Sequence, residues 1–207
     1  MSANSRGETL SWLGQPVANK RDAILASAQR VFAANGFHQT EVQVISEQSG
    51  ISKATIYKFF HSKDNLLLEM VQEVLNHLGM LALRAMVSPE PALQRLLAIA
   101  ESFLRFGEEN RAVCLLILRD GGSCVTEIAH SYRQKMEQMM PVIEPLFDAA
   151  RRDGSLGNVA TEVIIDAILS CLLGHFQSWF LLYNCEDSLM EKGMRNVHFL
   201  IAGFARS

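Results

Sequence analysis

The chain lacks an apolar run long enough to cross a bilayer: the longest, such as 179–183, fall far short of the ~20 residues a spanning helix needs. It also lacks a secretory signal, since residues 1–18 are polar and small apart from Leu10, Trp12 and Leu13. The expectation is a soluble, cytoplasmic protein with no membrane partner. Cysteine is scarce and scattered. Cys114, Cys124, Cys171 and Cys185 show no CxxC spacing and no zinc-type cluster with histidine, so the thiols are expected to be reduced and interior, with no metal and no cofactor. Nucleophile motifs are missing as well. Cys114, Cys124 or Cys171 would need a base such as His130 or His175, and no pattern brings such a pair together, which excludes an enzyme. Strand alternation and internal repeats are absent. The net charge of −3 excludes a chain that is basic throughout.

What is present is helical periodicity and an uneven charge. Residues 1–65 carry seven Lys/Arg against five acids, a net +2, which leaves −5 for the remainder. A nucleic-acid surface would therefore lie in the N-terminal third. Residues 1–18 hold Ser, Gly and Pro and are expected to form a flexible arm. From Asn19, a capping residue, Ile24, Leu25, Ala28, Val31 and Phe32 form one apolar stripe, and Gly36 ends the helix. Thr40 with Gln43 reads as a capping box before a helix burying Val42 and Ile45. Gly50-Ile51-Ser52 is a short turn with Ser52 as the next cap, and Ser62 caps a long helix that starts near Lys63. Pro141 and Pro145 should kink or interrupt the helix they fall in.

The stretch GISKATIYKFFHSK, residues 50–63, mixes lysines with bulky apolar groups. Placed on a helix, Lys53, Ala54, Tyr57 and Lys58 share an arc of roughly 140°, with Ile56 and Phe59 opposite and Ser52 and Thr55 flanking. Two readings fit this pattern. One is an amphipathic core helix with a solvated face. The other is the second helix of a helix-turn-helix, whose outward lysines neutralise phosphates while side chains reach base edges in the major groove.

Residues 20–70 resemble the DNA-binding domain of the TetR family of bacterial transcriptional regulators. The resemblance is carried by Phe32 and Gly36, Thr40, Ile45-Ser46, Gly50-Ile51-Ser52, Thr55-Ile56-Tyr57, Phe60 and Ser62-Lys63. Ser46 and Ser49 stand where the family usually has alanine, Ala54 where glycine is common, and Phe59 where many members carry histidine. The resemblance implies an all-α fold of about nine helices. A helix-turn-helix domain at 19–62 would be followed by a ligand-binding and dimerisation domain at 63–207. It implies DNA contacts from Ser52, Lys53, Ala54, Thr55, Tyr57 and Lys58, with Thr40 and Lys63 on flanking phosphates.

It further implies a homodimer joined through the last two helices, near 163–184 and 189–204, through Leu172, Phe176, Trp179, Met194, Val197 and Ile201, with Gly174 permitting close approach. The middle of the chain is rich in Leu, Phe and adaptable Met. There Phe103, Phe106, Ile117, His130, Met136 and Met140, with His175, are the expected lining of a small-molecule pocket. The function so implied is a regulator, a repressor of a palindromic double-stranded DNA operator, released by a small, mainly apolar effector. A regulator triggered by cysteine oxidation is the alternative.

Overall fold

A computed structural model describes residues 18–182 and 185–205. The expected arm at 1–18 lies outside the described residues except for Ala18, whose N–H donates to Asp22 at 3.2 Å. The described residues form nine α-helices and no strand: α1 Lys20–Asn35, α2 Val42–Ser49, α3 Lys53–Phe60, α4 Lys63–Met86, α5 Ala92–Glu109, α6 Arg111–Asp120, α7 Val125–Arg152, α8 Thr161–Leu181 and α9 Leu189–Phe204, with a 3-10 turn at Gly121–Cys124. The described residues form two compact units, one of 18–74 with 110–130, the other of 75–109 with 131–182 and 185–205. The sequence suggests a boundary near 62. The first unit also takes in the start of α4 and all of α6, because α6 packs on α1.

In the first unit the α1 stripe is buried as its spacing predicts, and Phe32 meets Phe37 edge-on at 5.2 Å. Asn19 caps α1 by accepting the Asp22 N–H at 3.0 Å. Ser62 caps α4 by accepting the Asn65 N–H at 3.0 Å. Arg21, in the first turn of α1, pairs with Glu69 and with Glu73 of α4, the latter at 2.9 Å. Half-exposed pairs of this kind add little stability individually, but together they fix the register of α1 along α4.

The second unit is built on a core that includes Leu96, Leu104, Phe147, Ile164, Leu172, Trp179 and Val197. α7 continues through Pro141 and Pro145 without the interruption that the sequence offers as one outcome. Each proline frees the carbonyl four residues back, at Glu137 and Pro141, and both positions are exposed, so water can satisfy them. α4 and α8 are long and apolar enough to cross a bilayer by length and composition alone, with mean hydropathies of 1.3 and 1.4, a test that core helices also pass. Isolated polar residues break these segments into short apolar runs, which is why no such span is visible in the sequence.

Close approach favours glycine at two buried positions, Gly107 against Phe176 and Gly193 against Leu104. A Cβ on Gly107 would lie 1.8 Å from the Phe176 ring. Gly107→Ala must push that ring out of place, and we expect a loss of about 1–3 kcal/mol in a denaturant titration. An unchanged midpoint would show that the ring moves freely.

Candidate functional site

α2 and α3 are joined by Gly50, which takes the left-handed conformation at φ 69° and ψ 14°. Ser52 then caps α3, accepting the Thr55 N–H at 3.3 Å and sharing a 2.9 Å hydroxyl contact with Thr55. Ile56 and Phe60 point inward and are buried. Ser52, Lys53, Ala54, Tyr57 and Lys58 are exposed, and Thr55 is half-buried. The Lys53 ammonium sits 6.0 Å from the Tyr57 ring centre. The expectation for Phe59 needs correction, since it is 45% exposed rather than packed inside. On a helix, positions 56 and 60 define the buried stripe as well as 56 and 59 do, and Phe60 fills it. The outward surface of α3 thus carries two lysines, a phenol, an exposed phenyl ring and small residues.

The two flanking residues sit differently from expectation. Thr40 is 3% exposed and its hydroxyl donates to the Gly36 carbonyl at 2.7 Å. Gln43 bonds Glu47 at 2.9 Å instead of reaching back. The capping box is therefore not formed: Glu41 precedes α2 without a side-chain cap, and the Thr40 hydroxyl is used on the end of α1. Lys63 donates to the carbonyls of Phe37, His38 and Thr40 at 2.8, 3.2 and 3.1 Å. Its three N–H groups are thereby engaged, and it serves the α1–α2 turn.

The residues expected to line a pocket are divided. Phe103, Phe106, Met136, Met140 and His175 belong to the second unit, Phe106 buried and the others half-buried. Ile117 and His130 belong to the first unit, where Ile117 is half-buried and His130 is exposed on α7. The apolar content of α6 resembles that of α5, and no local signal tells which unit it serves. His175 lines a cleft with Ser178, Trp179, Ser188, Leu189 and Lys192, whose volume of about 20 Å³ suits roughly one water molecule. Its Nε2 is buried with no partner, as is Nδ1 of His77.

His77 is a residue that sequence reasoning missed. It lies 5.3 Å from the Phe106 ring centre. Burial, with the charge of Arg84, lowers its pKa against the opposing pull of Glu109, which favours a neutral imidazole. Its only signal in the sequence is a lone imidazole in a leucine-rich helix.

The dimer residues also need correction. Leu172, Trp179, Val197 and Ile201 are buried in the core of the second unit, while Phe176 and Met194 are half-buried against it. The Trp179 indole donates to the Asp187 carbonyl at 2.7 Å. The outer faces of the last two helices carry other residues: Leu173 is 59% exposed, Leu181 68% and Phe199 71%. Gly174 is exposed there with no neighbour near its Cβ position.

The thiols give no support to a redox trigger. Burial pushes Cys114 up to about 12, and burial also raises Cys171. Cys124 is buried, with its sulfur 3.9 Å from the Asp64 carbonyl. Thiolate, the reactive form, is suppressed at both shifted sites. Peroxide treatment is accordingly expected to leave DNA binding unchanged in a gel-shift assay; loss of binding reversed by reductant would contradict this.

Residues 24–70 match the model of the bacterial regulatory proteins, tetR family. Over 85% of this chain and 77% of the relative, the sequence is 25% identical to the HTH-type transcriptional activator FasR of Mycolicibacterium smegmatis. It is 38% identical over 50 residues, 24% of this chain and 26% of the relative, to the fatty acid metabolism regulator protein of Bacillus subtilis. The fold is shared with the transcriptional regulator FadR from Bacillus subtilis, solved in complex with stearoyl-CoA, at a TM-score of 0.73 and 16% identity over 87% of this chain and 97% of that one.

Proposed function

We propose, from the premise that this chain is a ligand-responsive transcriptional regulator of the tetR family, that it represses by holding a palindromic operator as a homodimer and lets go on binding a long-chain acyl effector. The observation that carries the DNA reading is the outward surface of α3. Lys53, Lys58 and Tyr57 stand exposed beside small Ser52 and Ala54, which allow close approach to a groove. A major groove about 12 Å wide admits such a helix, and the lysines supply phosphate contacts. Ser52 and Thr55, at the amide-rich start of α3, add a phosphate grip.

The dimer is supported by α8. Its apolar window is only 17% buried within the single chain, and Val163, Leu173 and Leu181 lie uncovered along it. A second copy covers that surface and supplies the second recognition helix that a two-fold operator requires, about 34 Å away along the DNA. The effector class is supported by the apolar, methionine-bearing interior of the second unit and by the relative named as a fatty acid metabolism regulator. Repression follows the family's common mode. The effector then shifts the balance between DNA-competent and released states by no more than its differential affinity for them. The setting is the bacterial cytoplasm.

The test uses protein unfolded and refolded to strip any bound lipid. Palmitoyl- and stearoyl-CoA should raise the thermal midpoint, with a stabilisation of about 2.7 kcal/mol at a hundredfold excess over Kd, whereas coenzyme A alone should not. No shift with any acyl chain length would overturn the effector class while leaving DNA recognition standing.

A further inference from the structure

The turn from α1 into the helix-turn-helix is held from two sides by opposite charges. On one side, the Lys63 ammonium of α4 takes the Phe37, His38 and Thr40 carbonyls and lies 4.6 Å from the Phe37 ring centre. On the other side, Asp120, the last residue of α6, accepts the backbone N–H of Phe37. Phe37 itself is buried against Phe32. Both backbone groups of this one residue are therefore held by side chains from outside α2 and α3.

Asp120 is an unusual residue to find there. It is 6% exposed, and a buried carboxylate is costly unless it is paired and hydrogen-bonded. Arg119 supplies the pairing, donating from Nε at 3.0 Å and Nη2 at 2.7 Å. Burial pushes the Asp120 carboxyl up, but the hydrogen bonds and charge of Arg119, the Phe37 N–H and the charge of His38 together hold it below its ordinary value. The carboxylate is thus ionised and aimed at the turn. α6 packs on α1 and so carries Asp120 to the end of that helix.

We propose that Asp120 and Lys63 are positioning residues that clamp the Phe37 turn and so set the pose of α2 and α3 for DNA. The proposal rests on the DNA-binding reading of α3. It separates from a field effect of Asp120 by sign, and from a phosphate role for Lys63 by the salt dependence of binding. Removing an acid from a DNA-binding unit strengthens DNA binding through the field alone. Releasing the clamp weakens it.

The experiment compares full-length Asp120→Asn, Asp120→Ala and Lys63→Gln with the parent, on a duplex that the parent enriches from sheared genomic DNA. The Asp120 variants are expected to bind about tenfold more weakly, as loss of a charge-assisted hydrogen bond would produce. Lys63→Gln should also weaken binding while leaving the salt dependence of log K unchanged. A phosphate contact in each subunit would instead lower that slope by about 2. Amide exchange read in the same proteins should show residues 37–42 losing protection in the Asp120 variants while the global thermal midpoint holds. Equal or tighter DNA binding by Asp120→Asn overturns the clamp, as does unchanged protection at 37–42. A parent that enriches no duplex defeats the DNA-binding reading, while the exchange result still reports on the clamp itself.

Discussion

Leu173→Glu combined with Phe199→Glu is expected to convert the protein to a monomer in sedimentation and to weaken its binding to an operator duplex by about 10²–10⁴-fold. Both side chains stand mostly exposed on the single chain, so the substitutions should leave its own core and helical content intact. In a dimer they would bury four uncompensated carboxylates in an apolar interface, which is prohibitive unless the subunits separate. The affinity falls because the second half-site then binds as an independent event and loses its effective concentration. The matching substitutions at Leu172 or Val197, buried in the core, should instead unfold the second unit. A dimer that survives Leu173→Glu/Phe199→Glu would place the subunit contact elsewhere.

Lys53→Ala with Lys58→Ala should weaken operator binding about 10²–10³-fold near 0.15 M salt and flatten the salt dependence. The proposed dimer would present four of these ammonium groups, so the slope of log K against log salt should fall in magnitude by about 3 to 4, at ~0.9 per phosphate contact. Both lysines are exposed on the outer face of α3, so the thermal midpoint should hold. Loss of affinity with an unchanged salt slope would mean that the lysines read bases and leave the phosphates to other groups.

Much of the reading head was legible from local signals. Asn19, Gly36, Gly50, Ser52 and Ser62 each mark a helix end through chemistry confined to a few neighbouring residues, and each end falls where the sequence implies. The failures share a non-local cause. Thr40 chooses between the start of α2 and the end of α1, and the free Gly36 carbonyl wins. Lys63 reads as a surface cation until the chain folds back and presents three carbonyls 23 to 26 residues earlier. Phe59 and Phe60 are equivalent candidates for the core until α1 and α2 select one face.

The C-terminal helices show the same limit on a larger scale. α8 is apolar nearly all round, so periodicity cannot tell the face packed on α5 and α9 from the face left outside. Leu172 and Leu173 are neighbours with opposite fates. α6 is apolar enough for either unit, and only its packing against α1 brings Asp120 to the Phe37 turn. That clamp joins residues 83 positions apart, beyond the reach of any spacing rule.

The most direct measurement of the central claim is a binding selection from sheared genomic DNA with purified, refolded protein, read with and without stearoyl-CoA. The account predicts enrichment of a two-fold-symmetric site in the absence of the acyl compound and its loss in the presence of that compound. No enrichment from lipid-stripped protein at low salt would contradict the account at its root, because the exposed face of α3 would then have no duplex to read.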